Sequence, residues 1–227
     1  MAEREKGGRI LDAAEALLLR AGYRKVAVAE VAERAHVGKG TVYLYWPSKA
    51  ELFSAVLARD SVRQLDEHIA ALAADPAQSR PHLTFASLFR QVAHSPLATA
   101  LYTRDHDVLG ELLTTSQGGV AFLAGKTDTT ARYLDVLHRH GLLADDPTTD
   151  PTLAYRLSSV VAGAFLLEGL PGTTEADVDT RADALATTVR RAFEPTGPPT
   201  ARAMRAAATE LAELYQRWRD ELARSLP

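Results

Sequence analysis

The sequence predicts an all-α fold, with a small N-terminal three-helix domain and a larger antiparallel helical domain that carries an extra C-terminal helix. Apolar residues recur at intervals of three and four along most of the chain, and no segment alternates with the two-residue period of a strand. Clusters of Gly and Pro separate these stretches at helical lengths. At 227 residues the chain can hold one small and one larger core, and we expect the division at 1–47 and 48–227.

The first two helices are predicted by apolar stripes and stop signals. The first has an apolar face that ends at Ala21, followed by Gly22, a residue suited to the left-handed backbone that closes many helices. The second is expected over 28–35, where Val and Ala recur at i, i+3, i+4 and i+7. The connection that follows, His36-Val37-Gly38, is so short that the next helix is expected to cross the second one steeply.

The third helix is expected over 39–46 and concentrates polar and aromatic side chains. Val42 and Trp46 lie one turn apart and are expected to face the core. The outer face is then formed by Lys39, Thr41, Tyr43, Leu44 and Tyr45. Hydroxyl and ammonium groups on a short helix suit phosphate and base-edge contacts in a DNA major groove, and Gly40 permits close approach of the backbone.

The rest of the chain is also predicted to be helical. A fourth helix begins at Ser48, which forms a capping box with Glu51, and runs to about Ala74 before Asp75-Pro76 ends it. Asp150-Pro151 is a good N-cap and first-turn pair. The further helices are expected over about 81–94, 97–114, 119–140, 151–169, 174–193 and 200–225.

Several short motifs, in this order and at this spacing, resemble the DNA-binding domain of the TetR family of transcriptional regulators. They are Gly22-Tyr23, Val31-Ala32-Glu33-Arg34-Ala35, Lys39-Gly40-Thr41-Val42-Tyr43, Trp46-Pro47-Ser48-Lys49 and Glu51-Leu52. The resemblance covers about residues 8–58, and the remaining chain shares only an all-helical character. Periodicity alone would fit equally well a helical hairpin whose tyrosines merely cover the surface.

The resemblance implies a homodimeric repressor that is released from a palindromic operator in double-stranded DNA by a small-molecule effector. Val26 and Ala27 stand where the family often has Thr or Ser, so Arg24 or Lys25 is expected to supply charge there. Ala29 cannot read a base, so the operator sequence does not follow by analogy. Tyr43 and Lys49 are expected to contact phosphates. The full set of expected DNA contacts is Arg24, Lys25, Lys39, Gly40, Thr41, Tyr43, Leu44, Tyr45 and Lys49.

Two stretches of the larger domain are candidates for contact between subunits. The resemblance implies that helices 151–169 and 174–193 pair with their copies in a four-helix bundle; the alternative is that they only form the core of their own domain. A narrow heptad-like seam follows in 200–225, at Met204, Ala208, Leu211, Tyr215, Trp218 and Leu222. This last helix is expected either to pack on its own domain or to extend the dimer interface.

An effector site is expected among aromatic residues of the larger domain, because small-molecule sites are mostly apolar with a few polar anchors. The candidates are Phe85, Phe89, Tyr102, His106, Phe122, Tyr133 and Phe165, each of which also fits plain core. A ligand there is expected to pull the 48–74 helix and change the spacing of the two DNA-binding heads. Such a mechanism requires different affinities for two states.

Composition and motif spacing argue against an enzyme. The absence of Cys excludes disulfides and thiolate sites. The stretch Gly119–Thr127 has five residues between its glycines where a phosphate loop has four, and His138 and His140 point to different helix faces. No catalytic residue, metal site or cofactor is therefore expected.

Charge and hydropathy favour a cytoplasmic protein that binds DNA by one end. Residues 1–60 hold ten Lys and Arg against eight Asp and Glu, while the rest of the chain has a net charge of −5. No signal-peptide core is visible, and the apolar run 160–167 is too short to span a bilayer. Two other functions stay open: a DNA binder without an effector, and a helical small-molecule carrier with a vestigial DNA-binding head.

Overall fold

The computed structural model describes residues 2–168 and 175–227, and in those ranges every regular element is a helix, which confirms the all-α prediction. One of these elements is a short 3-10 helix, Pro76–Ser79. The α-helices of the described ranges are α1 Ala2–Ala21, α2 Val28–Arg34, α3 Lys39–Tyr45, α4 Lys49–Ala74, α5 Pro81–Ala93, α6 Pro96–Thr103, α7 His106–Leu109, α8 Leu112–Thr115, α9 Gln117–Arg139, α10 Leu153–Glu168, α11 Val178–Phe193 and α12 Ala201–Ala223. Among these helices, none has a stretch long and apolar enough for a bilayer crossing.

The helices form two compact units. The first comprises the chain up to Arg63 together with Pro96–Lys126 and Arg219–Pro227. The second comprises Gln64–Ser95 and the described part of Thr127–Trp218. Helices α4, α9 and α12 contribute residues to both units, and α1–α3 belong entirely to the first.

Backbone conformation explains why α1 ends where predicted. Gly22 has φ +77° and its amide donates to the Leu18 carbonyl at 2.8 Å. A Cβ at Gly22 would lie 2.0 Å from the carbonyl oxygen of Asp107, so both the conformation and the space require glycine. The next amide, of Tyr23, donates to the Val108 carbonyl at 2.8 Å, and these contacts tie the end of α1 to α7.

The prediction of one helix over 97–114 is wrong, because three short helices, α6, α7 and α8, occupy that stretch. Arg104 has φ +53°, and the Asp105 carboxylate then caps α7 by accepting from the amides of Asp107 (2.9 Å) and Val108 (3.1 Å). Gly110, at φ +54°, closes α7. Asp side chains compete with helical hydrogen bonds in this way, which helical periodicity alone does not reveal.

Two helix starts in the second unit also differ from the predictions. The Asp150 carboxylate accepts from the amide (2.8 Å) and hydroxyl (2.6 Å) of Thr152, so Pro151 lies in a turn and α10 begins at Leu153. Helix α11 begins at Val178, where Asp177 caps it by accepting from the Thr180 amide at 2.7 Å. Residues 169–174, which include the predicted boundary between these two helices, lie outside the described residues.

The second unit is held together by aromatic packing and a buried acid. The rings of Phe89 and Phe165 stack at 5.7 Å. The Glu194 side chain is 3% exposed and accepts from Arg80 Nη2 at 2.7 Å and from the His82 amide at 2.9 Å. A buried carboxylate is tolerated when it is paired and hydrogen-bonded in this way. These contacts join the start of α5 to the end of α11.

Helix α12 packs within the second unit along its first part. Tyr215 lies edge-on to His68 of α4, with ring centroids 6.0 Å apart. Glu210 accepts from Arg139 at 2.8 Å and lies 2.9 Å from His140 Nε2, both at the end of α9. This is the first of the two outcomes expected for the C-terminal helix, packing on its own domain.

A half-buried lysine of the first unit lies against an aromatic ring. The Lys126 Nζ atom lies 3.9 Å from the centroid of the Tyr102 ring. Burial and, secondarily, the charge of Arg104 lower the pKa of Lys126 to about 8. Burial, with a smaller effect of Asp60, raises the pKa of Tyr102 to about 12.

We predict that Lys126 makes the protein more stable as the pH rises from about 8 toward 10.5, its pKa outside the folded state. In this window the unfolded chain binds more protons than the folded chain, so the free energy of unfolding increases with pH. Urea unfolding of the wild type and Lys126→Met at several pH values measures the effect. Lys126→Met should be more stable than the wild type below about pH 8, and this difference in the free energy of unfolding should shrink as the pH rises toward 10.5. A difference that stays constant with pH would contradict the prediction.

Candidate nucleic-acid interface

The helix-turn-helix is formed by α2, a four-residue connection over 35–38 and α3. Val28, Val31 and Ala32 are buried on one face of α2, as the apolar stripe predicted. Helix α2 begins without a hydroxyl cap; instead the Glu30 carboxylate accepts from the Ala27 amide at 3.0 Å. The turn contains His36 at φ +55°, a conformation in which His is enriched among residues other than glycine.

The inner face of α3 is buried as predicted. Val42 is 1% exposed and Trp46 is 4% exposed. The Trp46 amide donates to the Val42 carbonyl at 3.0 Å and ends the helix, where Trp46 turns to extended backbone. These two side chains fix which face of α3 points outward.

The outer face of α3 is open and chemically mixed. Leu44 is 86% exposed and Tyr43 is 41% exposed. Lys39 and Gly40 are exposed and Thr41 is half-buried, while the Lys39 Nζ atom lies 5.9 Å from the Tyr43 ring centroid. A Cβ built on Gly40 would meet nothing within 4 Å. An exposed hydroxyl, ammonium and isobutyl group on one short helix can contact phosphates, base edges and thymine methyl groups.

Tyr45 is the member of the predicted outer set that the structure places differently. It is half-buried, and its hydroxyl donates to the Glu3 carbonyl of α1 at 3.0 Å. Tyr45 follows Val42 by three residues and therefore lies at the edge of the buried face. Its hydroxyl is directed to α1 and not to the open surface.

Three predicted cations flank α3. The Lys49 Nζ atom lies 4.6 Å from the Tyr23 ring centroid and 3.4 Å from the Arg24 carbonyl that accepts from it. Burial lowers the pKa of Lys49, and the charge of Glu30 opposes that shift. Arg24 pairs with Glu111 at 3.3 Å, but both side chains are mostly exposed, so the pair is weak. Lys25 is exposed.

Sequence reasoning missed a contact from the far end of the chain. The Trp46 indole Nε1 donates to the carbonyl of Ser225 at 3.2 Å, across 179 positions of sequence. A backbone carbonyl carries no sequence signal, and the only hint was the apolar seam that reaches Leu222.

The predicted effector residues are divided between the two units. In the second unit, Phe85 lies 6.0 Å from Tyr133 edge-on, and Phe89 stacks on Phe165. In the first unit Phe122 is buried, Tyr102 lies under the Lys126 ammonium, and His106 is exposed with Nδ1 2.9 Å from the Gly110 carbonyl.

An open groove of about 470 Å³ lies between α5 and α11 in the second unit. Its lining includes His82, Ala86, Arg90, Asp183, Ala186 and Arg190. Arg90 crosses from α5 to α11 and donates to Asp179 at 2.6 Å and to Asp183 at 2.8 Å. None of the predicted aromatic residues lines this groove.

The two faces of α10 differ in burial. Leu153, Leu157, Val161 and Phe165 are buried, which agrees with a core role for this helix. The opposite face exposes Tyr155 (75%) and Leu166 (51%), with Ser158, Ser159 and Ala162 exposed between them. The helix therefore has a core face and a separate outward apolar stripe.

Comparison with known proteins finds similarity over most of the chain. Residues 10–56 match the family described as bacterial regulatory proteins, tetR family. The transcriptional repressor KstR of Mycolicibacterium smegmatis is 32% identical over 166 residues, which cover 73% of this chain and 75% of KstR. The KstR repressor of Mycobacterium tuberculosis is 30% identical over 73% of this chain and 70% of its own length.

Similarity to solved structures extends beyond α1–α4. The transcriptional regulator FadR from Bacillus subtilis, crystallised with stearoyl-CoA, superposes with a TM-score of 0.60 at 17% identity. The superposition covers 80% of this chain and 96% of FadR. At this identity the similarity establishes the fold and no more.

Proposed function

The chain belongs to the TetR family of bacterial regulatory proteins and is a helix-turn-helix transcriptional regulator; we propose that it is a homodimeric repressor that reads a palindromic operator with α3. We assign DNA binding to residues 1–47, and effector binding and dimerisation to residues 48–227. Repression is supported by the two KstR relatives, which are repressors. The observation that carries the proposal is the open outer face of α3, held by a buried inner face.

Exposure and chemistry support Lys39, Gly40, Thr41, Tyr43 and Leu44 as the reading surface. Lys39 and Tyr43 provide an ammonium and a hydroxyl, and Leu44 offers an apolar contact. The empty space around Gly40 allows the backbone to approach a base edge or a phosphate. Tyr45 contributes by joining α3 to α1, and contacts DNA only at the edge of this surface.

The flanking cations support a role in positioning the protein on the DNA backbone. Lys49 is held in place by the Tyr23 ring and the Arg24 carbonyl, so it presents a fixed charge beside α3. Arg24 can exchange its weak partner Glu111 for a phosphate, and Lys25 adds a second exposed cation. Such contacts increase the affinity for DNA of any sequence and make binding depend on salt, but they add no sequence specificity.

We predict that α3 and Lys49 have separable effects on DNA binding, measured by gel shift on the promoters of the protein's own and neighbouring genes. Lys39→Ala and Tyr43→Ala should each weaken specific binding by about tenfold or more, because each removes a groove contact. Lys49→Ala should weaken binding to all DNA sequences alike, and it should reduce the slope of log binding constant against log salt concentration by about one.

Arg205→Ala, which removes an exposed cation from α12, serves as the charge-matched control and should leave binding unchanged. Wild-type-like binding by both α3 variants would show that another surface reads the DNA. If the wild type shifted none of the promoter fragments, a helical small-molecule carrier with a vestigial DNA-binding head would be the better description.

The outward stripe of α10 supports dimerisation through a second copy of this chain. Tyr155, Ala162 and Leu166 lie seven and four residues apart on one helix face, and small exposed residues between them permit close helix approach. Helix α11 exposes Ala184 and Thr188 one turn apart, next to its buried Leu185 and Val189. Two such helices from each subunit would bury these faces in a symmetric bundle.

We predict that Tyr155→Asp and Leu166→Glu convert the protein from dimer to monomer, because each places a charge in an apolar contact. Sedimentation velocity measures the change, and helicity by circular dichroism should be retained. Ala131→Glu, at an exposed position of α9, should remain dimeric. A monomeric wild type, or dimeric variants at both positions, would contradict the assignment of this face.

The aromatic groups of the larger domain support a small-molecule effector. Phe85 and Tyr133 form one aromatic pair in the second unit and Phe89 and Phe165 form another, which provides the apolar surface that small-molecule sites require. The neighbour FadR was solved with stearoyl-CoA, so this fold accommodates a ligand. A ligand that binds one conformation better would shift α4, which contributes to both units.

We predict that at least one compound from a broad set of apolar small molecules weakens operator binding, measured by fluorescence anisotropy of labelled promoter DNA. Phe85→Ala should reduce the response to that compound without changing operator affinity in its absence, because Phe85 is half-buried in the second unit. Exposed Ala131→Glu should respond as the wild type does. If no compound released the DNA, the constitutive DNA binder would be the better description.

A further inference from the structure

The last residues of the chain contact the DNA-binding head inside the first unit. We name Leu222–Pro227 the brace segment; it begins in the last turn of α12 and continues through Arg224, Ser225 and Leu226. Leu222 is buried, and the segment folds back on itself through the Ser225 hydroxyl, which donates to the Leu222 carbonyl at 2.8 Å. The amide of Leu226 donates to the Ala223 carbonyl at 3.1 Å.

The first contact of the brace segment is made with the end of α3. The Trp46 ring is part of the core, and its indole N–H needs a partner because burial removes it from water. The Ser225 carbonyl accepts this hydrogen bond at 3.2 Å. Since Trp46 directly follows α3, the hydrogen bond fixes the side chain on which the position of α3 depends.

The second contact is made with α1 at Gly7. A Cβ at Gly7 would lie 2.3 Å from Cγ and 2.6 Å from Cβ of Pro227, so the proline ring occupies the space that any side chain would need. The same Cβ would lie 3.5 Å from Cε1 of Tyr45. One patch of α1 thus receives both the brace segment and α3. At the next residue, Gly8, an added Cβ would meet nothing within 4 Å.

We propose that the brace segment positions α3 for sequence-specific reading. The Ser225 carbonyl acts through Trp46 without touching DNA, and it holds α3 at a fixed position relative to α1, while Pro227 packs on Gly7. This proposal rests on the proposed role of α3 as the reading helix. It explains why α1 carries a glycine in its interior at position 7, where a better helix former would otherwise be expected.

The matched pair Gly7→Ala and Gly8→Ala tests the proposal in the full-length chain. Both changes add one methyl group to α1 and both favour the helix, since Gly is a weak helix former. Only Gly7→Ala collides with Pro227 and expels the brace segment. The double variant Gly7→Ala with Pro227→Gly removes the ring that the new methyl would meet and serves as the rescue.

Three readouts separate positioning from a general structural role. Specific and non-specific DNA affinities report on reading, thermal unfolding reports on stability, and fluorine NMR of 5-fluorotryptophan protein reports on Trp46. The resonance is assigned by comparison with Trp218→Phe, because the chain has two tryptophans. Gly7→Ala should weaken specific binding by about tenfold, comparable to the loss of one base contact. Its non-specific binding should be unchanged, its Tm should not fall, and its Trp46 resonance should move.

Gly8→Ala should behave like the wild type in DNA binding, and the rescue variant should recover most of the specific affinity. Wild-type affinity for Gly7→Ala, or an unmoved Trp46 resonance, would overturn the proposal even where Tyr43→Ala weakens specific binding as predicted. A parallel loss of specific binding, non-specific binding and Tm would also overturn it, because that pattern marks general destabilisation. If the wild type itself showed no specific DNA binding, the proposed function would fail, and the positioning role of the brace segment would fail with it.

Discussion

Helix α3 has seven residues, too few to be stable by themselves in water, so its existence and its orientation depend on what it buries. Val42 and Trp46 provide that burial on one face, and everything proposed for the opposite face follows from it. With the inner face fixed, Lys39, Tyr43 and Leu44 are exposed on the outer face. Lys49, at the start of α4, then stands beside the open face because Tyr23 holds its side chain.

Burial of the inner face of α3 separates the positions that tolerate substitution from those that do not. The outer side chains of α3 and the flanking cations touch solvent, so we expect substitutions there to change the DNA sequence that is recognised, or the salt dependence of binding, without unfolding the head. The positions behind them do not have this freedom: Gly22 needs its positive φ against Asp107, and Trp46 needs a hydrogen-bond acceptor. In the second unit, the buried Glu194 with Arg80 and His82 has a comparable structural role.

Local signals in the sequence were sufficient for the helix-turn-helix and insufficient for contacts between distant segments. Apolar stripes, Gly22 and the capping box at Ser48 predicted the end of α1 and the bounds of α2, α3 and α4 to within about two residues, because each signal acts over a few positions. The predicted helix 97–114 failed at Asp105, whose side chain competes for backbone amides that periodicity assigns to the helix. Tyr45, at the edge of the buried face, was placed outward because helical spacing does not show where α1 runs. The hydrogen bond from the Trp46 indole N–H to the Ser225 carbonyl could not be predicted from the sequence, because every residue has a backbone carbonyl.

The central claim is that α3, presented twice by a symmetric dimer, reads two major-groove half-sites. Methylation-interference footprinting on a bound promoter tests it most directly, because methyl groups at guanine N7 block contacts in the major groove. The account predicts two interference windows on one face of the duplex, about one helical turn apart (roughly 34–36 Å) and related by a palindrome. A single window, or interference confined to adenine N3 in the minor groove, would contradict it.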